Sequence, residues 1–244
     1  MLALLRIVAI FCYFLLINVL LILVCLLRPF HRDNVHAAGV LYSSVSALLG
    51  LKLEIRVPDS VKQGGPYVFI ANHQNSFDLL TICAAAQKGT VTVGKKSLIW
   101  IPLFGQVYWL TGNIMIDRKN SGRAHDTLQG TVQKIQKRRL SVWFFPEGTR
   151  SNGRGLLPFK TGAFRIAKAT KEPIVMVTAS NLHNKIKLNR WDNGTLVIKL
   201  SEPEMMDENK SIKQNAEYFH QKMQHQLKDI NTELDNKIVH RSIS

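Results

Sequence analysis

The sequence predicts an α/β domain, a mixed sheet flanked by helices, preceded by an N-terminal membrane-anchoring helix or two-helix hairpin. Three observations predict it. Ile7 to Leu27 is almost wholly apolar, from Leu51 onward short β-rich runs alternate with helical stretches, and no repeat or low-complexity linker divides that remainder. The organisation is therefore an anchoring segment over residues 1–50 and one domain over residues 51–244.

Taken in order, the Ile7–Leu27 run is long enough to cross a bilayer core as a helix, which needs about 20 apolar residues. A cleaved signal peptide is the rival, but the basic n-region is Arg6 alone, the apolar stretch is long and no A-x-A-like site follows. Ala37 to Leu49 is a second apolar patch, too short and too rich in Ser and Gly to span, that can pair with the first as a shallow hairpin. Leu51 to Val57 alternates with the period of a half-buried strand, and Pro58 to Pro66 reads as a polar turn region. Tyr67–Ile70 is a short buried strand that delivers the chain into Asn72-His73. Phe77 to Ala86 has a helical pattern with Ser76 or Asp78 as its cap. Strands follow at Thr90–Val93, Ile114–Ile116, Ser141–Phe145, Ile174–Thr178 and Thr195–Leu200, with helices at Ser121–Arg139 and Gly162–Thr170. The last segment is amphipathic: Ile212, Ala216, Phe219, Met223, Leu227 or Gln226, Ile230, Leu234 and Ile238 recur at steps of three and four.

The formal charge of +15 calls for an anionic partner. Anionic lipid headgroups fit, attracting each Lys or Arg near the surface by roughly 1 kcal/mol. No nucleic-acid module accompanies the charge, so nucleic acid is not expected as a partner. Arg28, His31 and Arg32 follow the apolar run at once, which places the rest of the chain on the cytoplasmic side by the positive-inside tendency. Cys12, Cys25 and Cys83 lie in apolar surroundings with no metal spacing and no disulfide framework.

Two segments carry chemistry. In Asn72-His73-Gln74-Asn75-Ser76-Phe77-Asp78 a histidine is followed five positions on by a carboxylate. That spacing is about 140° around a regular helix, so the two meet only if His73 lies on the loop and Asp78 in the first helical turn. There Asp78 would hold one tautomer of His73 and the histidine would act as general base; the bland alternative is capping and hydrogen bonding alone. In Phe145-Pro146-Glu147-Gly148-Thr149-Arg150-Ser151, Gly148 permits close backbone approach and Arg150 can grip a phosphate with paired donors. Glu147 either orients Arg150 or accepts from a hydroxyl; a salt bridge closing a turn is the alternative. Arg118, at the end of Gly112–Arg118, and Lys95 are further cations for an anionic group, or are merely paired and solvated. Gly89-x4-Gly94-Lys95-Lys96 almost matches a P-loop, but Lys96 stands where Ser or Thr should be, and no G-x-S-x-G elbow is present. Nucleotide hydrolysis is therefore not expected, and serine-hydrolase chemistry is not supported.

With these motifs and the further blocks Val93–Leu98 and Gly155–Phe164, the chain resembles the bacterial 1-acyl-sn-glycerol-3-phosphate acyltransferases, the lysophosphatidic acid acyltransferases, over most of its length. The resemblance implies the glycerolipid acyltransferase type of fold and a catalytic domain over 51–244. It implies a catalytic dyad at His73 and Asp78, a second motif at Gly112 to Arg118, and acceptor binding by Glu147, Gly148 and Arg150, helped by Arg118 and Lys95. The fourth motif departs, with Met176 standing in Pro173-Ile174-Val175-Met176-Val177 where the family has proline, near the acyl side. The implied reaction moves an acyl chain from acyl-CoA or acyl carrier protein to the sn-2 hydroxyl of lysophosphatidic acid, giving phosphatidic acid, with no metal or cofactor. The implied location is the bacterial inner membrane, among membrane lipids and with the catalytic domain on its cytoplasmic face. The alternatives are an acyltransferase for another lysophospholipid or membrane alcohol, and a non-catalytic membrane-anchored lipid-binding protein.

Overall fold

The computed structural model describes residues 1–116 and 124–243, and the side chains of all of these except 124–128 and 238–243. Helix α1 (Leu2–Leu27) is long and apolar enough to cross a membrane by length and composition. It is followed by α2 (Asn34–Ser43) and the short α3 (Val45–Leu48). Then come β1 (Lys52–Arg56), α4 (Asp59–Gln63), β2 (Val68–Ala71), β3 (Thr90–Lys95), α5 (Phe104–Leu110) and β4 (Ile114–Ile116). The chain continues through α6 (Ala124–Arg138), β5 (Ser141–Phe144), α7 (Gly162–Thr170), β6 (Ile174–Ala179), β7 (Thr195–Leu200) and α8 (Ile212–Ile243).

Among the described residues seven strands form one mixed sheet in the order β1-β7-β6-β2-β5-β3-β4. Strands β6, β2, β5, β3 and β4 are mutually parallel, and β7 turns antiparallel to β6 with β1 parallel beside it. Five carboxyl ends therefore open on one edge, the place where open α/β sheets bind ligands. The central strands are buried on both faces, which is why they read as continuous apolar runs. Val68, Ile70, Val142, Ile174 and Met176 pack on one face with Phe164 of α7 and Phe219 of α8. Phe69, Ala71, Trp143, Val175 and Val177 pack on the other with Leu49, Leu51 and Ile82. Each fully buried large side chain here contributes about 1.5–3 kcal/mol relative to exposure. Of the two alternatives in the α8 pattern, Gln226 is the buried one, its amide donating to the Lys199 carbonyl at 3.2 Å, and Leu227 is only partly covered. The Ser121 start expected for α6, and the Ile238 side chain, lie outside the described residues.

Helix α1 is fastened to the rest along its length. Near its start the buried Arg6 guanidinium donates to the carbonyls of Leu188 (3.1 Å), Arg190 and Trp191 (2.9 Å). Ile17 and Leu21 pack with Tyr42, Val45, Phe104 and Val107, and Tyr42 donates to Asn18 at 3.0 Å. Just past its end, the Phe30 amide donates to the Leu110 carbonyl at 2.9 Å.

Three expectations change. The polar turn after Pro58 contains the short α4, in which Lys62 pairs with Asp59 at 2.9 Å while Val61 is buried. The helix expected over Phe77–Ala86 is two 3₁₀ segments, Ser76–Leu80 and Ile82–Ala85, broken at Thr81. Its cap is Asn75, because Asn75 and Asp78 form a reciprocal capping box and Asp78, in the first turn, reaches back over the loop.

Candidate active site

The β2 strand ends at Ala71, and the next residues are pinned before they can wander. Asn72 is buried and continues the sheet with its side chain: its amide donates to the Ala179 carbonyl (2.9 Å) and accepts the Ala179 N–H (2.8 Å). Gln74, also buried, accepts the Leu182 N–H (2.7 Å) and donates to Ser180 (2.8 Å). His73, between these two anchors, has its own N–H taken by Glu147 at 2.6 Å. Nothing in residue spacing marked Asn72 and Gln74; the available signal was two amides flanking a histidine at a strand exit.

Asp78 lies beneath this loop with its side chain 5% exposed. One oxygen accepts from His73 Nδ1 at 2.6 Å, from the Gln74 amide at 2.7 Å and from the Asn75 amide at 3.2 Å. Those donors fix the direction of the carboxylate. With Nδ1–H donated to Asp78, His73 Nε2 is left as an acceptor, and the ring is 20% exposed, so a substrate can reach it. The imidazole stacks on Phe145 with ring centroids 4.2 Å apart, which holds its plane.

The loop after β5 is stitched to the same place. Ser151 N–H donates to the His73 carbonyl (2.8 Å) and Asn152 N–H to the Gln74 carbonyl (2.9 Å). Gly148 sits at φ +70°, a left-handed position suited to glycine, and closes a turn onto the Phe145 carbonyl. Glu147 is buried, and its second oxygen accepts the Leu157 N–H at 2.9 Å. The roles open to it from sequence were orienting Arg150 or meeting a hydroxyl; the structure turns its carboxylate inward to two main-chain amides. Burial pushes its pKa above the ordinary glutamate value, against the opposing pull of those amides and of His73. Arg150 is exposed beside the site.

Lys95 ends β3 on the same sheet edge, exposed, with Ile116 as its register partner on β4. Arg118 lies outside the described residues. Met176 is buried in the sheet interior, and its N–H, which a proline would lack, donates to Ser201 Oγ at 2.9 Å. Among the described residues no group of three or more His, Cys, Asp and Glu could hold a metal ion.

Residues 52–180, slightly more than half of the chain, match the acyltransferase family model, a span that opens on β1 and closes just after β6. The chain is 47% identical over 203 residues to the 1-acyl-sn-glycerol-3-phosphate acyltransferase of Escherichia coli K12, covering 83% of each protein. It is 44% identical over 238 residues to that of Haemophilus influenzae, covering 96% of this chain and 98% of the relative. A crystal structure of the 1-acyl-sn-glycerophosphate acyltransferase from Thermotoga maritima superposes with a TM-score of 0.69, at 20% identity, over 92% of this chain and 97% of that one, a likeness of fold. The chain belongs to the 1-acyl-sn-glycerol-3-phosphate acyltransferase family.

Proposed function

We propose that the protein transfers an acyl chain from acyl-CoA or acyl carrier protein to the sn-2 hydroxyl of 1-acyl-sn-glycerol 3-phosphate, yielding phosphatidic acid. The observation that carries this reading is the 2.6 Å contact of His73 Nδ1 with a buried Asp78 on a partly exposed ring. His73 Nε2 takes the hydroxyl proton as the oxygen attacks the thioester carbonyl. The tetrahedral intermediate then expels sulfur, and the imidazolium returns the proton to the leaving thiol. Asp78 stabilises the imidazolium through the proton on Nδ1, and general-base help of this kind is worth roughly 10²–10⁴ in rate.

The names of the relatives support a glycerol phosphate monoester as acceptor, and Arg150, with Lys95 and Arg118, receives its phosphate. No metal or cofactor is required by these steps. The apolar α1 and the basic residues Arg28, His31 and Arg32 just beyond it favour a bacterial inner membrane with the catalytic domain, residues 51–244, on its cytoplasmic face and membrane lipids around residues 1–50.

The test is thiol release from acyl-CoA with lysophosphatidate in detergent micelles, native protein against His73→Ala, with acyl carrier protein as a parallel donor. Acceptor-dependent release that falls by two or more decades in the variant supports the reading. Release from neither donor by folded native protein overturns it.

A further inference from the structure

The hairpin from Pro146 to Lys160 carries one acid and three cations: Glu147, then Arg150, Arg154 and Lys160. The acid is occupied with the amides of His73 and Leu157. Arg154 is spent on the loop itself, donating to the carbonyls of Ser151 (2.8 Å) and Arg150 (2.9 Å). The cationic heads of Arg150 and Lys160 have no hydrogen-bond or ion-pair partner in the described structure.

Lys160 is distant from Gly148 in sequence but is brought back onto it. Its N–H donates to the Pro146 carbonyl at 2.8 Å, and the Leu157–Glu147 contact closes the same hairpin one turn earlier. Its side chain then lies across the bare face of Gly148. A Cβ at that glycine would stand 2.8 Å from Lys160 Nζ and 2.9 Å from both Cδ and Cε. The glycine thus serves two ends, the left-handed turn and the room for this ammonium. From Lys160 Nζ the contacts run over Gly148 to Glu147, and from Glu147 to the backbone of His73.

We infer that Lys160 is a phosphate-binding residue of the acyl-acceptor site, paired with Arg150 across Gly148. The inference rests on the proposed acceptor. In that acceptor the phosphorus is only four bonds from the oxygen that His73 deprotonates, so the phosphate must sit close to the base. Two unpaired cations flanking a glycine on the loop that holds the base supply that position. A phosphate monoester carries close to two charges at neutral pH, which two cations match and one does not. Arg150 gives a paired fork and Lys160 a compact point charge, and together they present the cradle that the buried Glu147 leaves free of competing negative charge.

The experiment measures steady-state kinetics in mixed micelles for native protein, Lys160→Met, Lys160→Arg and, as a charge control on exposed α8, Lys228→Met. Lysophosphatidate and acyl-CoA are varied in turn, and thermal unfolding is compared to confirm an intact fold. Loss of one charge-assisted contact to the phosphate is expected to raise KM for lysophosphatidate in Lys160→Met on the order of 10- to 100-fold. With the loss confined to acceptor binding, kcat and KM for acyl-CoA stay within about threefold. Lys160→Arg restores most of the affinity and Lys228→Met behaves as native. An unchanged KM for lysophosphatidate, an equal rise for acyl-CoA, or a fall in kcat alone overturns the inference. If native protein shows no lysophosphatidate-dependent release, the acceptor reading itself fails and the inference falls with it.

Discussion

The Glu147 carboxylate accepts the main-chain N–H of His73 at 2.6 Å, so an acid of the Phe145–Ser151 motif holds the backbone of the Asn72–Asp78 motif. The two motifs, 74 residues apart in the chain, are thereby one unit. Glu147→Gln replaces one acceptor oxygen with a donor, leaving either the His73 or the Leu157 amide unpaired in a buried place. The expected cost is about 1–3 kcal/mol of stability. Activity should fall through kcat, since the loop bearing the base loosens while the cationic groups remain. Its pH dependence follows from the sign of the shift. Burial raises the Glu147 pKa above 4.5, so the native state binds the proton more tightly than the unfolded chain, and stability from this group is lost as pH rises above that value. The stability gap between native protein and Glu147→Gln should therefore narrow from pH 4 towards neutrality in thermal unfolding monitored by circular dichroism. A widening gap would contradict the assignment.

Asp78→Asn tests the charge of this carboxylate separately from its part in the fold. One Asp78 oxygen takes all three contacts, so an asparagine that turns its oxygen there keeps the Gln74 and Asn75 amides and His73 Nδ1 but loses the charge that stabilises the imidazolium. A fall of roughly 10²–10⁴ in kcat is expected, with KM for the acceptor nearly unchanged. Retention of near-native turnover would mean that Asp78 serves as a cap alone.

Arg56 on β1 bonds Glu233 of α8 through two nitrogens, both at 2.6 Å, and Lys237 joins the same carboxylate at 2.8 Å. These partners hold the Glu233 pKa down from 4.5 to about 2. A depressed carboxylate contributes stability above its unfolded pKa and loses it as pH falls through the folded value. Glu233→Gln should thus be less stable than native protein above pH 5, with the difference closing between about pH 4.5 and 2. Added salt should shrink the same difference, because the pair is partly exposed.

Gly39 and Gly130 make a matched contrast. In α2, a Cβ at Gly39 would fall 2.3 Å from the Cys83 carbonyl oxygen, so α2 would have to retreat from the 3₁₀ segment it covers. Gly39→Ala is expected to destabilise by about 1–3 kcal/mol. In α6, a Cβ at Gly130 meets nothing within 4 Å, and Gly130→Ala should stabilise by roughly 0.5–1 kcal/mol through helix propensity. Paired chemical-denaturation curves would separate the signs.

The strands of the fold were legible because β2, β5 and β6 are buried on both faces and must be apolar throughout. The meeting of His73 and Asp78 was legible as a condition: a loop histidine and a first-turn acid. Helix α5, by contrast, left no mark. Its sequence Phe-Gly-Gln-Val-Tyr-Trp-Leu is too short for a periodic polar face, and the chain enters it through Leu103 at a left-handed φ of +62°. The direction of Glu147 was also hidden. An acid beside Arg150 reads as its partner, whereas its actual partners are main-chain amides that no residue letter announces. Asn72 and Gln74 were missed for the same reason, since both are bonded to backbone around Ala179 to Leu182.

Helix α1 is riveted at its first turns by Arg6 and just past its last by Phe30, with Asn18 bonded to Tyr42 between them. It is therefore a spar and not a tether. A tether would let the base drift to any height above whatever surface holds the apolar side chains of Leu4, Phe11 and Leu23. A spar transmits its tilt and depth rigidly to the sheet, so the position of the helix in that surface sets the distance from which His73 must be reached.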